Sequence, residues 1–445
     1  MSKETRVYRR RWSKSRLYQR SSSRWTRVVV ICCLILGVFH WVSIFRTHRK
    51  ALLDKFSPTI FTHLTTRDKD ALASTSWRWD QLPADRVVET SSYSRSDIWA
   101  SRHDWRPLGS GSEGEAFVYN GTVIKVYKTK RFPFRNCVPE ARPELRWPTE
   151  ITASLLLGGM VDDEDVGIDA NFLPVTDYFL SPPTEYTPPR WHFLTPFLPS
   201  GNLVKLAAHL RRSEHAYSAD DLDVLYRPSL ERLLEALDQM HNQHELCHDD
   251  VKPDNIFLSG GKSLTEPGAT LDATKKWILA DLGNVREPGH AYHSSILWSR
   301  LNNNIPDCRV NDVSRLLKSY MVFLRTAVDD AAAFDVQFFS GHEPWARLYW
   351  SLVDAIDEKK FVSATSTQQL SKQFGPSQQQ YEDTAAWNRD PPGVRNPVTR
   401  LLLSREQVVV QGVTNALKIS AADSAARNWG MTLLFGVPVE NCQSE

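Results

Sequence analysis

Cysteine is scarce in this sequence, with six residues among 445. Cys32 and Cys33 lie in an apolar run, and no two cysteines have the C-x-x-C spacing of a zinc ligand pair, so a zinc site is not expected. A disulfide framework is not expected in a chain of this size either, although one bridge could form in an oxidising compartment. Internal repeats are lacking too, which argues against a repeat architecture.

An excess of either charge is also lacking over the whole chain, whose formal net charge is +2. Residues 1–27 carry ten Lys or Arg and one acid, Glu4, for a net +9, so the remaining 418 residues carry a net −7. A basic arm on an acidic body argues against a body that binds nucleic acid. With 41% hydrophobic and 24% charged residues, the chain has the composition of a globular protein.

One apolar run is long enough to span a membrane. Residues 28–45 (VVVICCLILGVFHWVSIF) carry no formal charge, and as a helix they would extend roughly 27 Å, close to the ~30 Å hydrocarbon thickness of a bilayer. We therefore expect a transmembrane helix, since its Arg-rich flanks could not be buried in a core. A cleaved signal peptide is the main alternative, but the preceding basic region is long and no small-x-small cleavage site ends the run.

The basic residues around this run predict its orientation. The twenty residues before it hold eight Lys or Arg, and the twenty after it hold four. Because the more basic flank stays in the cytoplasm, we expect a single-pass membrane protein with a cytoplasmic N-terminus and a lumenal or extracellular body in the endomembrane system. The glycosylation sequon Asn120-Gly121-Thr122 is compatible with this orientation.

Beyond the run, the hydrophobic period changes from that of strands to that of helices. Residues 117–119 and 123–127 flank Asn120-Gly121, a strong signal of a β-hairpin because both turn residues need positive φ. Residues 191–197 (WHFLTPF) read as a buried strand. Apolar residues then recur at helical spacing in three stretches, residues 230–240, 313–320 and 345–356. Strands first and helices later predict an α+β fold.

The first segment that carries chemistry is residues 108–114 (LGSGSEG), where Gly109, Gly111 and Gly114 have G-x-G-x-x-G spacing between predicted strands. Glycines let the backbone approach phosphate closely and donate its N–H groups. The motif does not open a helix, which argues against a dinucleotide-binding fold. Lys125 follows on the next strand, where a buried lysine needs an anion as its partner. Taken alone, each feature has an ordinary alternative, a glycine-rich turn and a surface lysine.

The second segment, HDDVKPDNIF (248–257), places a carboxylate, a lysine and an amide in one short loop. Asp250 could orient an attacking hydroxyl and accept its proton, Lys252 could neutralise developing charge, and Asn255 could hold magnesium. The third segment, WILADLG (277–283), delivers Asp281 at the end of an apolar strand. Magnesium prefers carboxylate oxygen, so we expect Asp281 to be a metal ligand.

In this order, the three segments resemble the eukaryotic protein kinases over roughly residues 105–356. The resemblance implies an α+β, bilobal protein-kinase-like fold with ATP and Mg²⁺ between the lobes, and transfer of the γ-phosphate to a hydroxyl. Lys252 matches the Ser/Thr-type loop, so a protein substrate is expected. The expected order is a basic arm (1–27), a transmembrane helix (28–45), a stem (46–104), a small β-rich lobe (105–198), a larger helical lobe (199–360), a Ser-, Gln- and Pro-rich linker (361–400) and an unassigned tail (401–445).

The resemblance also implies a role for each matching residue. Gly109, Gly111 and Gly114 would cover the phosphates, Lys125 would bind them and pair with Glu150, Thr195 and Leu198 would border the adenine, Asp250 would be the catalytic base beside Lys252, and Asn255 and Asp281 would bind the metal. Glu140 and Glu144 are weaker candidates for the partner of Lys125, because nearby prolines disfavour a helix around them. Asp312 would be the buried acid of the larger lobe's central helix.

The sequence departs from the family at three points. Asp249 stands where kinases regulated by loop phosphorylation have Arg, which removes a basic partner of the phosphorylated loop. Leu282 replaces the usual Phe of the metal motif, and no Ala-Pro-Glu segment is recognisable between Asn284 and Asp312. Two alternatives therefore stay open: a pseudokinase scaffold that binds nucleotide or partners without catalysis, and a glycan or small-molecule kinase.

Overall fold

The computed structural model describes most of the chain, and it confirms the mixed α+β class. The described residues are 4–64, 66, 95–111, 113–128, 134–137, 146–161, 171–183, 188–266, 270–302, 305–376, 389–391 and 402–419. The helices are α1 (Glu4–Phe56), α2 (Arg95–Ala100), α3 (Thr149–Gly158), α4 (Leu203–Arg211), α5 (Ala219–Asp238), α6 (Ile296–Leu301), α7 (Cys308–Ala327), α8 (Ala331–Ser340), α9 (Pro344–Asp357), α10 (Ala364–Gln373) and α11 (Arg405–Ala416). The strands are β1 (Arg106–Ser110), β2 (Gly114–Tyr119), β3 (Thr122–Tyr127), β4 (Asn136–Cys137), β5 (Arg146–Trp147), β6 (Asp177–Leu180), β7 (Trp191–Pro196), β8 (Ile256–Leu258) and β9 (Trp277–Leu279).

The N-terminal helix α1 contains the apolar run. Among the described residues, it is the one helix long and apolar enough to cross a membrane, with a mean hydropathy of 2.6 in its most apolar window. Large side chains of the run, such as Leu36 (68% exposed) and Phe39 (70% exposed), have no protein neighbours to cover them. A helix that is apolar and uncovered suits a lipid environment, as in a membrane anchor or a signal sequence.

The segment after the run is not a free stem. Helix α1 continues to Phe56, and Ala51 and Leu52 are buried against the body, in a cluster with Tyr292 and Trp298. A second helix, α2, lies near the other end of the predicted stem and buries Ile98. The stem predicted over residues 46–104 therefore includes residues that contact the body, because apolar side chains such as Leu52 and Ile98 lie within its polar composition.

Five antiparallel strands form the main sheet, in the order β1-β2-β3-β7-β6. The predicted hairpin is confirmed, since Asn120 and Gly121 join β2 to β3 with φ of 44° and 72°. The predicted strand over 191–197 is confirmed as β7, at the fully hydrogen-bonded interior of the sheet. Helix α3 packs beside this sheet through Ile151 and Leu155.

Helices form the larger core that follows. Helix α5 begins with a capping box between Ser218 and Asp221, which satisfies backbone N–H groups at its first turn. Its apolar face packs against α7, and the two helices bury a continuous set of side chains. The core members at helical spacing include Leu230, Leu233, Leu234, Leu237, Met240, Val313, Leu316, Leu317 and Tyr320. The three helical stretches expected from periodicity are thus confirmed.

The C-terminal part of the chain adds two helices to this core. Helix α10 begins with a Ser363–Ser366 capping box and buries Thr367 and Ser371, so residues 364–373 of the predicted linker 361–400 form a packed helix. The polar composition of these positions predicted a linker, but small hydroxyl side chains can be buried in a core when their hydrogen bonds are satisfied. Helix α11, in the unassigned tail 401–445, buries Val413 and packs against α8.

A disulfide joins the loop before His248 to the start of α7. Cys247 and Cys308 form this bridge across 61 positions, and Cys137 is disulfide-bonded as well. Cys32 and Cys33 are free and exposed on α1. The sequence allowed for one bridge, so the second is a departure from that expectation. Disulfides persist in oxidising compartments and are rare in the cytosol.

Candidate functional site

Strand β3 delivers Lys125 into an acidic cluster. Lys125 lies opposite Phe193 of β7, and its Nζ donates to Glu150 Oε2 at 2.5 Å and to Asp281 Oδ1 at 3.3 Å. Glu150 reaches this position because α3 begins at Thr149, directly after Pro148. Proline suits a helix start, where its missing N–H removes no intrahelical hydrogen bond. The sequence-predicted pair Lys125–Glu150 is thus formed, whereas Glu140 and Glu144 lie outside the described residues.

The charges of this cluster stabilise one another. Burial lowers the pKa of Lys125, but the carboxylates of Glu150 and Asp281 outweigh burial and hold that pKa well above its usual range. The ammonium of Lys125 in turn is the main cause that lowers the pKa of Asp281. Lys125 is therefore charged, and Asp281 is ionised, at neutral pH. The side chains remain 22% and 37% exposed, so a ligand can reach both.

The glycine-rich segment forms the edge of the sheet above this cluster. At Gly114, a Cβ would lie 2.6 Å from the Val126 carbonyl oxygen, so only glycine allows the two strands to approach this closely. The Gly111 N–H donates to the Gly114 carbonyl at 2.8 Å, which closes the turn. Gly109 and Gly111 face open space. The backbone at these two glycines therefore leaves room for a ligand to approach, although the Gly111 N–H is already bound within the turn.

Thr195 and Leu198 lie where the sheet meets the helical core. Thr195 is buried on β7 opposite Val123, two residues from the level of Lys125. Leu198 follows β7, and the Gly201 carbonyl three residues later accepts from the Leu258 N–H at 3.0 Å. This hydrogen bond ties the connecting segment to β8, which directly follows the loop with Asp250.

The loop of residues 248–257 holds Asp250 between two cations. Lys252 Nζ donates to Asp250 Oδ2 at 2.7 Å, and Arg315 of α7 donates to Asp250 Oδ1 at 3.0 Å. Asn255 Nδ2 donates to the Asp250 carbonyl at 3.0 Å, which fixes the orientation of the amide and of its acceptor oxygen. The two hydrogen bonds from Lys252 and Arg315 therefore hold the Asp250 carboxylate in one orientation.

Asp312 anchors this loop through hydrogen bonds to the loop backbone. It is fully buried on α7 and accepts from the backbone N–H groups of His248 (2.7 Å) and Asp249 (3.0 Å). His241 Nε2 lies 3.1 Å from the same carboxylate. The prediction of a buried acid on a central helix is confirmed, and it fixes the loop backbone just before Asp250.

Backbone hydrogen bonds join the Asp250 loop to Asp281. Strands β8 and β9 pair with Ile256 opposite Leu279, and the Ala280 N–H donates to the Asn255 carbonyl at 2.9 Å. His248 Nε2 lies 3.2 Å from the Ala280 carbonyl. Asn255 and Asp281 therefore flank the same end of a two-stranded ribbon. Through Asp281, the Lys125–Glu150 pair and the Asp250 loop belong to one site.

Hard oxygen ligands converge at this site. Carboxylate oxygens of Glu113, Glu150 and Asp281 lie within 4.8 Å of one another, and the Asn255 amide is held at the adjoining ribbon end. Carboxylate and amide oxygen are the ligands that Mg²⁺ prefers, and magnesium needs only one or two of them beside phosphate oxygens. The donor set fits magnesium better than zinc, since it offers no thiolate or imidazole.

Asp249, the residue that departs from the family pattern, lies in a second, closed cluster of charge. Its Oδ2 accepts from Arg286 at 3.1 Å and from His293 at 2.9 Å, and its φ is 63°. Burial raises the pKa of Asp249, but the hydrogen bonds and charges of His293 and Arg286 outweigh it and lower that pKa. Asp249 is thus an ionised, buried partner of Arg286 and His293.

Sequence reasoning missed several side chains of the site. Arg315 lies one helical turn after the predicted Asp312, and Tyr127 lies two residues after Lys125, where its hydroxyl donates to Glu150. Alternation along β3 places residues 125 and 127 on one face, so the period-2 rule could have found Tyr127. The partners of Asp249 had no such signal, because Arg286 and His293 are 37 and 44 positions away.

A scan against protein-family models finds none that matches the chain, and a search of curated proteins finds no match. Support for a function therefore comes from the arrangement of the side chains themselves.

Proposed function

We propose that this protein is a membrane-anchored, ATP-dependent kinase of the bilobal protein-kinase type, which transfers the γ-phosphate to a hydroxyl group. One observation carries the proposal. Lys125 contacts both Glu150 and Asp281, while the backbone next to Asp281 is hydrogen-bonded to the loop of Asp250 and Asn255. Phosphoryl transfer needs a lysine, two metal ligands and a base in one cleft.

The nucleotide would lie against the sheet. The open backbone at Gly109 and Gly111 would cover its phosphates, and Lys125 would bind them in exchange for part of its contact with Asp281. Thr195 and Leu198 would border the adenine at the connecting segment. Asn255 and Asp281 would hold Mg²⁺, which supplies charge neutralisation to the phosphates.

Asp250 and Lys252 would act on the acceptor. The Asp250 carboxylate would orient the acceptor hydroxyl and take its proton as the new P–O bond forms. Lys252, now 2.7 Å from Asp250, can turn toward the γ-phosphate and neutralise negative charge there. Arg315 would keep the other carboxylate oxygen in place during this exchange.

The body would face the lumen of the endomembrane system or the cell exterior. Three observations support this orientation. The N-terminal flank of the apolar run is the more basic one, the Cys247–Cys308 bridge needs an oxidising compartment, and the sequon residue Asn120 is exposed at the tip of a hairpin.

The acceptor class we favour is Ser or Thr of a protein, because of Lys252 in the loop. A cavity of about 310 Å³ beside Lys252 favours a second class, a small molecule. It is lined mainly by aliphatic side chains of α4, α7 and Leu417, with Asp254 and Thr326 as polar groups. A compact acceptor would fit such a cavity better than an extended peptide would.

The test is transfer of labelled phosphate from ATP by the full-length protein in detergent, with Mg²⁺ and a panel of peptides, glycoproteins and free glycans. We expect transfer by the wild type, and a fall of about 10²–10⁴-fold for Asp250→Asn, since a general base contributes that much. Asp272→Asn is the matched control, because Asp272 is an exposed acid on the surface.

Equal rates for wild type and Asp250→Asn would contradict the proposal. MgATP binding without transfer to any acceptor would instead support the pseudokinase alternative. The acceptor that is labelled decides between the protein and glycan classes.

A further inference from the structure

The segment from Asn284 to Trp298 begins three residues after Asp281, and its helices are limited to single turns and the first residues of α6. Its first residues are tied to the site. Arg135 donates to the carbonyls of Gly283 and Val285, both at 2.9 Å, and Arg286 pairs with Cys247 through two backbone hydrogen bonds of 2.7 and 3.1 Å. The position of Asp281 therefore depends on how this segment, which we call the post-metal segment, is held.

The end of helix α1 covers the post-metal segment with apolar side chains. Leu52 and Ala51 are buried at 0% and 2% exposure, in a cluster with Tyr292, Leu297 and Trp298. Burial this complete removes the whole Leu52 side chain from water and favours the docked position of the helix end. The membrane-proximal helix is thus part of the body's packing and not a tether.

Polar contacts fix the register of this docking. Thr59 Oγ1 donates to the Val285 carbonyl at 2.9 Å, and Arg286 donates to the Lys55 carbonyl at 3.1 Å. The Ile60 N–H donates to Glu287 Oε2 at 3.0 Å. Residues 51–60, which we call the docking segment, therefore bind consecutive residues of the post-metal segment.

Asp249 holds the same segment from the catalytic side. Arg286 and His293 both bind its carboxylate, and all three side chains are at most 4% exposed. A buried ion pair of this kind is costly to break, because a charge would be left without a partner. Arg286 is bound at once to Asp249 and to the docking segment, so it couples the two.

The post-metal segment presents few exposed hydroxyl groups that a kinase could phosphorylate. Of its hydroxyl side chains, Tyr292 and Ser295 are buried, and Ser295 Oγ caps the N-terminus of α6 through the Trp298 N–H. Only Ser294 is exposed. Arg286, one cation beside this segment, is already paired with Asp249.

We propose that the docking segment and Asp249 form a permanent clamp on the post-metal segment. This clamp keeps Asp281 in the position that binds the metal, and it does so without phosphorylation. The inference rests on the proposed kinase function. Asp249, Arg286 and Thr59 are positioning residues in this account, since they act on the reaction only through the segment that carries Asp281. The lumenal continuation of the anchor is then a working part of the catalytic body.

The test uses the full-length chain in detergent and measures two quantities. Amide hydrogen exchange of residues 284–298 reports the clamp itself, and kcat with the KM for ATP reports its effect on transfer. The variants are Asp249→Asn, which keeps the shape but removes the charge, Thr59→Val, which removes one hydrogen bond, and Leu52→Ala. Arg49→Ala, at an exposed position on the same helix, is the matched control, and Ser294→Ala tests the exposed hydroxyl.

We expect exchange in residues 284–298 to become at least about tenfold faster in Asp249→Asn and Leu52→Ala, with a smaller rise in Thr59→Val. We expect kcat to fall about tenfold in Asp249→Asn while the KM for ATP stays within about twofold. Phosphatase treatment of the wild type, Ser294→Ala and Arg49→Ala should each leave the rate unchanged.

Unchanged exchange in Asp249→Asn and Leu52→Ala would overturn the clamp, and so would loss of activity on phosphatase treatment. If the wild type transfers no phosphate at all, the kinase proposal fails, while the exchange measurement still decides whether the docking segment orders residues 284–298.

Discussion

The protein holds two clusters of charge on either side of Asp250, and they differ in access to solvent. In the first, the cation Lys125 is surrounded by acids, and its side chain is 22% exposed. In the second, the acid Asp249 is surrounded by cations, and it is 2% exposed. An open cluster can exchange a protein partner for a ligand, whereas a closed one can only hold structure. The comparison supports the proposal that the first cluster binds the ligand and that the second positions the loop.

Removing a charge from the open cluster should have the largest effect on activity. We expect Asp281→Asn to lower kcat by about 10²–10³-fold, the usual cost of losing one group that stabilises transition-state charge. The measurement is the initial rate at saturating Mg²⁺ and ATP. Stability should change little, because Asp281 keeps part of its solvent contact. A large loss of stability with normal activity would reverse the assignment of the two clusters.

Loosening the closed cluster should act mainly on stability. Cys247 precedes His248 and Asp249, so its bridge to Cys308 anchors the loop that bears the closed cluster. We expect the double variant Cys247→Ser/Cys308→Ser to lose about 2–4 kcal/mol in free energy of unfolding. Urea unfolding of the wild type and the variant, both without reductant, measures the difference. An unchanged unfolding midpoint would show that the bridge does not support this loop.

The closed cluster should also make stability depend on pH. Burial lowers the pKa of His293, but its hydrogen bond to Asp249 and the charge of that carboxylate outweigh burial and raise the pKa. A raised pKa means that the stabilisation is fully present below the unfolded value of about 6.5 and is lost as pH rises through the folded value. We therefore expect His293→Gln to cost on the order of 1 kcal/mol at about pH 5.5, and less at about pH 8.5.

Chemical unfolding of wild type and His293→Gln at the two pH values measures this difference. A cost that grows with rising pH would contradict a protonated His293 in the closed cluster. Asp249 does not change this sign, because its lowered pKa keeps it ionised at both values.

The smallest effect on the fold is expected at Asn120, at the tip of the β2–β3 hairpin. If the body is lumenal, the exposed sequon should carry a glycan, and Asn120→Gln should remove a glycosidase-sensitive shift in mass. Stability and activity should stay close to wild type. A body that shows no glycan and is digested by protease outside sealed microsomes would reverse the proposed orientation.

The motif residues of the open cluster were predicted from the sequence, although Tyr127 was missed, and the partners of Asp249 in the closed cluster were not predicted. Lys125, Asp250 and Asp281 stand in short motifs whose chemistry is local, and alternation along β3 places Lys125 toward the site. Arg286 and His293 have no local signal, because their partner Asp249 lies 37 and 44 positions away. The docking segment has none either, because Arg286, which binds the Lys55 carbonyl, lies 231 positions from it. The sequence showed that Asp249 stands where related kinases have Arg, but it did not show which side chains Asp249 binds.

The helices were also predictable only where their residues carry a local pattern. Periodicity located α5, α7 and α9, where apolar residues define a face. It missed α10, which buries Thr367 and Ser371 rather than aliphatic side chains. It also missed the docking segment, where Ala51 and Leu52 stand between polar residues and reveal their role only against Trp298.

The central claim is that Lys125, Asn255 and Asp281 together bind the phosphates and metal of one nucleotide. The most direct measurement is a structure of the full-length protein with Mg²⁺ and a non-hydrolysable ATP analogue. The account predicts triphosphate density against Lys125 and beneath Gly109 and Gly111, with a metal ion bound by Asp281 and Asn255. A nucleotide bound elsewhere, or a site that stays closed by the Lys125–Asp281 contact at saturating MgATP analogue, would contradict it.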